Sequence, residues 1–326
     1  MTPAADGRTV LHPHWGPRDE GNLARKGHGE TRPRTDRARE DRNHQPTGAK
    51  HDDAGSGSHR RHRARPQEGC LSRQRDSLPT RVTALPELPD EYHAAVDDGL
   101  REMGIRLDTR SRRSIDDHVR LLLAWNAAIN LTAIREPAEI ARLHVLDSLA
   151  AVRVLRERGI LDFADLGSGG GFPGIPLAIG LGTSRGLLVE SVRKKAAFLD
   201  AAVVVAGLQG RLAVAAVRAE SLAATSDRAA WPAITARAVA GLADLIELAM
   251  PLLQPDGSLI AWKGSGLEDE LAAATRAAEG LGAAPPEVIP APVPGAAGHR
   301  LVVVRRLGPT PPGYPRDPAT RRRRPW

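Results

Sequence analysis

The residues best placed to do chemistry are a carboxylate and a run of spaced glycines. Asp165-Leu-Gly167-Ser-Gly169-Gly-Gly171-Phe-Pro-Gly174 follows the apolar run Ile160-Leu-Asp-Phe-Ala, so a strand should enter a glycine turn and then a helix. Glycine at 167, 169 and 171 lets the backbone bend and approach a ligand where a Cβ would clash, and the helix start beyond it offers unpaired N–H groups. That combination is a nucleotide-cofactor site. Gly169-x-Gly171-x-x-Gly174 also fits the dinucleotide fingerprint, but the glycine nearest the strand is Gly167, and the frame starting there puts Asp165 beside the turn. A carboxylate repels a pyrophosphate, whereas S-adenosylmethionine carries an ammonium and a sulfonium and no phosphate. A methyl donor is therefore the expected cofactor. Glu190 closes the next apolar run, Gly186-Leu-Leu-Val, and suits ribose hydroxyls. Dehydrogenases and methyltransferases both place an acid there, so Glu190 supports adenosine without choosing between them.

The elements that must position these groups follow from periodicity. Asp90 can cap a helix running to about residue 103. A second helix, 111 to 129, stripes Ile115, Val119, Leu122, Leu123 and Trp125, and a third, 137 to 156, starts on proline and stripes Ile140, Leu143, Leu146, Leu149 and Val152. These form a helical cap at about 85–156. Beyond it strands at 161–166, 186–190, 211–216, 233–237 and 258–262 alternate with helices from 173, at 193–206, at 241–253 and at 267–280. That alternation is the pattern of an α/β doubly wound, Rossmann-like sheet spanning about 157–306. Strands near 286–290 and 300–305 have no helix between them and should pair as a hairpin, leaving the last strand antiparallel.

Charge is concentrated at the ends. Residues 1–80 carry 16 basic and 11 acidic side chains and residues 305–326 carry 7 and 1, while the whole chain of 326 has a net charge of +7. The basic excess thus lies in the tails, and any binding face on the fold must be local. Residues 1–80 have almost no aliphatic clusters and are expected to be a disordered basic extension, their seven histidines an incidental polar feature without metal-ligand spacing. Residues 307–326 read as a basic tail, either solvated or an attractor for a polyanion. Cys70 is the single cysteine, which excludes an internal disulfide and a cysteine metal cluster and suits the cytoplasm. No apolar run reaches the length of a membrane span, and the N-terminus lacks an apolar signal core.

Several separated segments occur together in one order. They are Trp125-Asn-x-x-Ile-Asn130-Leu-Thr132, His144-Val-Leu-Asp147-Ser148, the glycine turn continuing Phe172-Pro-Gly-Ile-Pro176, and Glu190-Ser-x-x-Lys194-Lys-x-x-Phe-Leu199. Further on come Arg218-Ala-Glu220, Ala236-Arg237-Ala238, Trp262-Lys263-Gly264 and His299-Arg-Leu-Val-Val. In these the chain resembles the ribosomal small-subunit RNA methyltransferase G family, also called glucose-inhibited division protein B, over roughly 85–326. The resemblance implies a class I S-adenosylmethionine-dependent methyltransferase acting on N7 of one guanine in 16S ribosomal RNA or the small-subunit particle. It makes Gly167 and Phe172 loop contacts to the cofactor, Ala219 and Glu220 contacts near the adenine, and Arg237 the arginine at the active-site mouth. A cytoplasmic monomer without metal is expected.

The residues themselves agree in part. Arg237 follows the apolar strand Ala233-Ile-Thr-Ala and so stands at a strand's C-terminal end, where open α/β sheets bind ligands. Asn130, His144, Asp147 and Lys263 form the expected guanine and RNA side. His144 and Asp147 share a helix face, and from spacing alone a structural hydrogen bond between them reads as well as a catalytic pair. Trp125 and Trp262 suit base stacking or plain packing. Two other functions compete. An NAD-dependent oxidoreductase calls for Tyr-x-x-x-Lys or a comparable pair, but the only tyrosines are Tyr92 and Tyr314, neither followed by such a lysine. A non-catalytic RNA-binding module has no need of Gly167, Gly169, Gly171 and Glu190 all intact.

Overall fold

The computed structural model describes residues 78–296 and 298–326. The expectations for the first 77 residues, including the seven histidines and Cys70, lie outside the described residues.

Three helical segments precede the sheet. Helix α1 is Asp90–Glu102, with Pro89 rather than Asp90 at the cap and no side-chain cap bond. Helix α2 is Thr109–Ile129, and here the cap is made by Asp108, whose carboxylate accepts from Ser111 N at 2.7 Å. The expected continuous third helix is instead interrupted. It runs as α3 (Pro137–Ile140), a π-helical turn (Ala141–Leu146), α4 (Asp147–Leu149) and α5 (Ala151–Glu157). The apolar stripe persists through the break, which is why periodicity did not expose it. π turns are rare and concentrate at functional sites, and this one carries His144 just before Asp147.

The sheet has seven strands in the order β3-β2-β1-β4-β5-β7-β6. Strands β1 (Phe163–Leu166), β2 (Gly186–Val189), β3 (Leu212–Ala215), β4 (Trp231–Arg237) and β5 (Leu253–Lys263) run parallel. β7 (Arg300–Arg305) lies antiparallel to both β5 and β6 (Glu287–Pro290), as the missing crossover helix required. Order reverses between β1 and β4, and ligands bind such sheets at that switch point, beyond the strands' C-terminal ends.

Alternation along the strands sorts the core into two layers. Phe163, Leu188, Ile260 and Val303 face the layer built from the cap, α6 (Gly174–Leu181) and α7 (Arg193–Val205). Their neighbours Ala164, Leu187, Leu259 and Val302 face α9 (Leu242–Ala249) and α10 (Leu267–Gly280). Helix α6 is apolar on all sides, and every residue of it is buried. Two short helices complete the chain: α8 (Ala219–Leu222), directly after β3, and α11 (Pro318–Arg323) within the basic tail. Asp317 caps α11 by accepting from Ala319 N and Thr320 N, each at 3.0 Å.

Candidate active site

The glycine turn leaves β1 at Leu166. Gly167, Gly169 and Gly171 hold φ of 68°, 52° and 85°, left-handed values that other residues rarely adopt. Space is equally restrictive at two of them. A Cβ on Gly167 would lie 2.6 Å from Val239 Cγ2, and one on Gly171 would lie 2.8 Å from His118 Nε2. The turn is braced from below by Asp165, which is wholly buried and accepts from Thr235 Oγ1 at 2.8 Å. Burial pushes this carboxyl up to about 6, against the hydrogen bonds of Ser168 and Thr235. Asp165 therefore ties β1 to β4 under the turn and does not present its charge to a ligand, which corrects the sequence argument that used it to choose the cofactor.

Glu190 is the acid that reaches the turn. It closes β2, is nearly buried, and accepts from Gly169 N at 3.1 Å and Val192 N at 2.8 Å. Each carboxylate oxygen keeps a further lone pair for a hydroxyl. Ala219 and Glu220 open α8 beyond β3, the next parallel strand, so turn, Glu190 and Glu220 follow adjacent strand ends in the order an adenosine would span. Among the described residues no His/Cys/Asp/Glu group has the arrangement of a metal site. An open glycine cradle beside an acid fits an adenosyl group that lacks phosphate.

The other half of the site is a clasp around Asp147, which is 2% exposed. Its Oδ2 receives Arg237 Nη1 at 2.8 Å and its Oδ1 faces His299 Nδ1 at 2.8 Å, while its backbone carbonyl accepts from Trp262 Nε1 at 2.7 Å. One residue of the cap thereby binds β4, β5 and the start of β7. Arg237 also donates to Leu143 O at 2.8 Å and to His144 Nδ1 at 3.1 Å. A guanidinium only donates, so Nδ1 of His144 must be the bare nitrogen, and Nε2–H is left to donate to Thr132 Oγ1 at 2.7 Å. Burial first, and Arg237 second, lower His144 to about 3. It is neutral with both nitrogens engaged. His299 is moved the other way, raised chiefly by its hydrogen bond to Asp147.

Phe172 joins the two halves. It is 6% exposed and stacks on His144 at 4.7 Å with 12° between planes, while His118 lies 4.7 Å away at 37°. His118 Nε2 donates to Gly170 O at 2.8 Å from α2, and burial lowers it to about 4. A cavity of about 310 Å³ opens next to the clasp, lined by Asp147, Arg237, Trp262, Lys263, Glu270 and His299 among others. Lys263 Nζ bonds Glu270 at 2.7 and 2.9 Å and Ala240 O at 3.2 Å.

Of the expected site residues, Phe172, His144, Asp147 and Arg237 converge, Lys263 lines the cavity beside them, and Gly167, Gly169, Gly171 and Glu190 form the cradle. Asn130 does not join them: it is exposed at the left-handed C-cap of α2. Asn126, one turn earlier, does the local work by accepting from Leu131 N and Thr132 N and donating to Thr132 O, which fixes the threonine that holds His144. Glu220 is engaged by the tail, its Oε1 at 2.6 Å from Arg321 Nη2 and its Oε2 at 3.5 Å from Arg218 Nε. Burial raises its carboxyl, but these arginines outweigh it, and the net shift is downward. The sequence reading did not single out His118, Thr132, Glu270 or His299 as site residues. His118 was detectable as a polar residue within the apolar stripe of α2, and His299 as the head of the last strand's motif.

A seven-stranded sheet of this order, with a glycine cradle and acid on one side of the switch point and a cavity at the ends of β4 and β5, defines the class of S-adenosylmethionine-dependent methyltransferases. Residues 111–290 match the family described as rRNA small subunit methyltransferase G, and the chain belongs to that family. It is 40% identical to the Ribosomal RNA small subunit methyltransferase G of Roseiflexus sp. (strain RS-1) over 226 residues, 69% of this chain and 96% of the relative. To the protein of the same name from Pelotomaculum thermopropionicum it is 38% identical over 232 residues, 71% of this chain and 97% of that one. Among solved structures, the O-methyltransferase from Bacillus cereus in complex with SAH superposes with a TM-score of 0.44 at 16% identity, covering 65% of this chain and 97% of that one.

Proposed function

We propose that this protein transfers a methyl group from S-adenosylmethionine to N7 of a guanine in 16S ribosomal RNA, acting as a monomer in the cytoplasm. The observation that carries the reading is the Asp147 clasp, because it borders a cavity whose acids are already paired, Asp147 with Arg237 and His299 and Glu270 with Lys263. His144 has both nitrogens occupied and titrates near 3, and Asp147 has both oxygens paired. A reaction at a carbon, a hydroxyl or an exocyclic amine needs a proton removed. Guanine N7 is a free lone pair and needs none.

The cofactor supplies an electrophilic methyl on a sulfonium. The N7 lone pair forms the new N–C bond as the C–S electrons return to sulfur, and the positive charge passes to the purine with no proton moved. What the chain contributes is placement. Arg237, immobilised by three acceptors, and Lys263, fixed on Glu270, are donors in or beside the cavity, matched to guanine O6 and mismatched to the amino group adenine carries there. Glu190 takes the ribose, and the start of α8 takes the adenine. RNA as the substrate class follows from the family and from the names its relatives carry.

Nucleoside mass spectrometry of 16S RNA tests the proposal. A deletion strain should lack one N7-methylguanine that returns with the wild-type gene and not with Arg237→Ala. Identical modification in all three strains sinks it.

A further inference from the structure

We propose that Arg321, in the C-terminal helix α11, is a positioning residue for the methyl donor: it anchors Glu220 at the adenine wall, so the docked tail is part of the cofactor site. The inference rests on the reading of Glu220 as an adenine contact.

Arg321 is only 8% exposed although it opens a run of four arginines at the chain's end. A buried guanidinium is costly unless its hydrogens are matched. Here Nη2 donates to Glu220 Oε1 at 2.6 Å and Nη1 to Arg316 O at 2.8 Å. Arg316 is fixed in turn. Its Nε lies 3.1 and 3.0 Å from the two oxygens of Glu247, its Nη2 is 2.5 Å from Oε2, and its backbone N donates to Oε1 at 2.7 Å. Glu247 is a fully buried carboxylate of α9 that also accepts from Trp326 Nε1 at 2.7 Å, and Trp326 stacks on Tyr314 at 5.8 Å. The segment therefore runs from an anchor in the core, through Arg316, to Arg321 and Glu220. Of the two alternatives for the tail, a wholly solvated segment does not fit these contacts, while Arg322, Arg323 and Arg324 remain exposed.

The reason this matters for the ligand is the size of α8. A helix of four residues, Ala219–Leu222, has no stability of its own, since one turn does not offset the cost of its nucleus. Its position is set by what it touches: Leu222 in the core, and Glu220 through Arg321. Without Arg321, Glu220 keeps only the longer ion pair to Arg218, whose side chain is 63% exposed, and the helix start loses its buried polar fixing. With it, Oε1 is held, and Oε2, 3.5 Å from Arg218 Nε, keeps a lone pair to accept from the adenine amino group.

Isothermal titration of S-adenosylmethionine into the full chain, with melting temperature recorded for each variant, tests this. Arg321→Ala should weaken binding by about tenfold and raise KM for the cofactor with little change in kcat, and Arg321→Lys should recover part of the loss. Glu220→Ala should weaken binding similarly. The double variant should be no worse than twofold below either single one, because both changes remove the same contact. Arg322→Ala, exposed on the same helix, should leave cofactor affinity unchanged. If Glu220→Ala weakens binding while Arg321→Ala does not, or if the two losses multiply, the positioning role is overturned and the adenine contact stands. If Glu220→Ala leaves binding unchanged, the adenine contact and the positioning role fall together.

Discussion

Asp147, a residue of the cap, is bound by Arg237, Trp262 and His299 from three strand ends. It is a buried carboxylate whose charge is matched by Arg237 on one oxygen and faced by His299 on the other. Removing one member of a buried pair typically costs about 3–5 kcal/mol. Asp147→Asn and Arg237→Ala should accordingly each lower urea-unfolding stability as well as turnover, since removing Arg237, itself only 15% exposed, leaves the Asp147 carboxylate buried without its cation. A second prediction concerns acid. His118 and His144 fold with pKa values near 4 and 3 against 6.5, so their contribution is present above pH 6.5 and is lost as pH falls. Asp165, near 6 when folded against 3.8, acts oppositely: its contribution is present below 3.8 and lost as pH rises through 6. Between pH 6 and 4 the unfolded chain therefore holds two protons on the histidines, and the folded chain one on Asp165. The net slope from these groups is about 1.4 kcal/mol lost per unit of acidification, and His118→Gln should bring it close to zero in denaturation curves across that window.

At the scale of elements, the cap and the sheet are joined through the glycine turn. His118 on α2 holds Gly170 O, and Phe172 fills the space between His118 and His144. Gly171→Ala would put a methyl against the His118 ring at a φ of 85°. It should cost about 1–3 kcal/mol and weaken cofactor binding, measured by unfolding and by titration. Much of this level was legible in the sequence. Apolar runs marked the strands, the missing crossover marked the antiparallel β7, and the glycines marked the turn. What escaped was set by tertiary contact. The π turn keeps the apolar stripe of its helix and so leaves no trace in periodicity. Strand β5 begins at Leu253, five residues before the expected 258, because Leu253 is buried and pairs with Trp231, while the exposed Gln254–Asp256 bulge out, with Asp256 at φ 61°, before pairing resumes at Ser258. Asp165 was recognised as important but misplaced, since nothing local says whether a carboxylate at a strand end points to the ligand or under the turn.

Over the whole molecule the C-terminal segment changes most between sequence and structure. Its composition leaves open a solvated tail or an attractor for a polyanion, and the acids that dock it, Glu220 and Glu247, lie 101 residues from Arg321 and 69 from Arg316, out of reach of any local pattern. The one available signal was Glu247 itself, an acid inside the apolar run Leu245-Ile-Glu-Leu-Ala249. Deleting residues 314–326 strips Glu247 of Arg316 and Trp326. It should lower stability by about 3–5 kcal/mol and the melting temperature by roughly 10 °C. Loss of salt dependence in RNA binding should trace to the exposed Arg322, Arg323 and Arg324, at about 0.7 units of log–log slope per phosphate contact on single strands. The direct measurement of the central claim is transfer of labelled methyl from S-adenosylmethionine to 16S RNA or small subunits by the purified protein, followed by borohydride and aniline cleavage, which cuts at N7-methylguanine. One enzyme-dependent cut, absent with Arg237→Ala, is the predicted result. Label incorporated without any new cut would place the methyl group elsewhere and contradict the account.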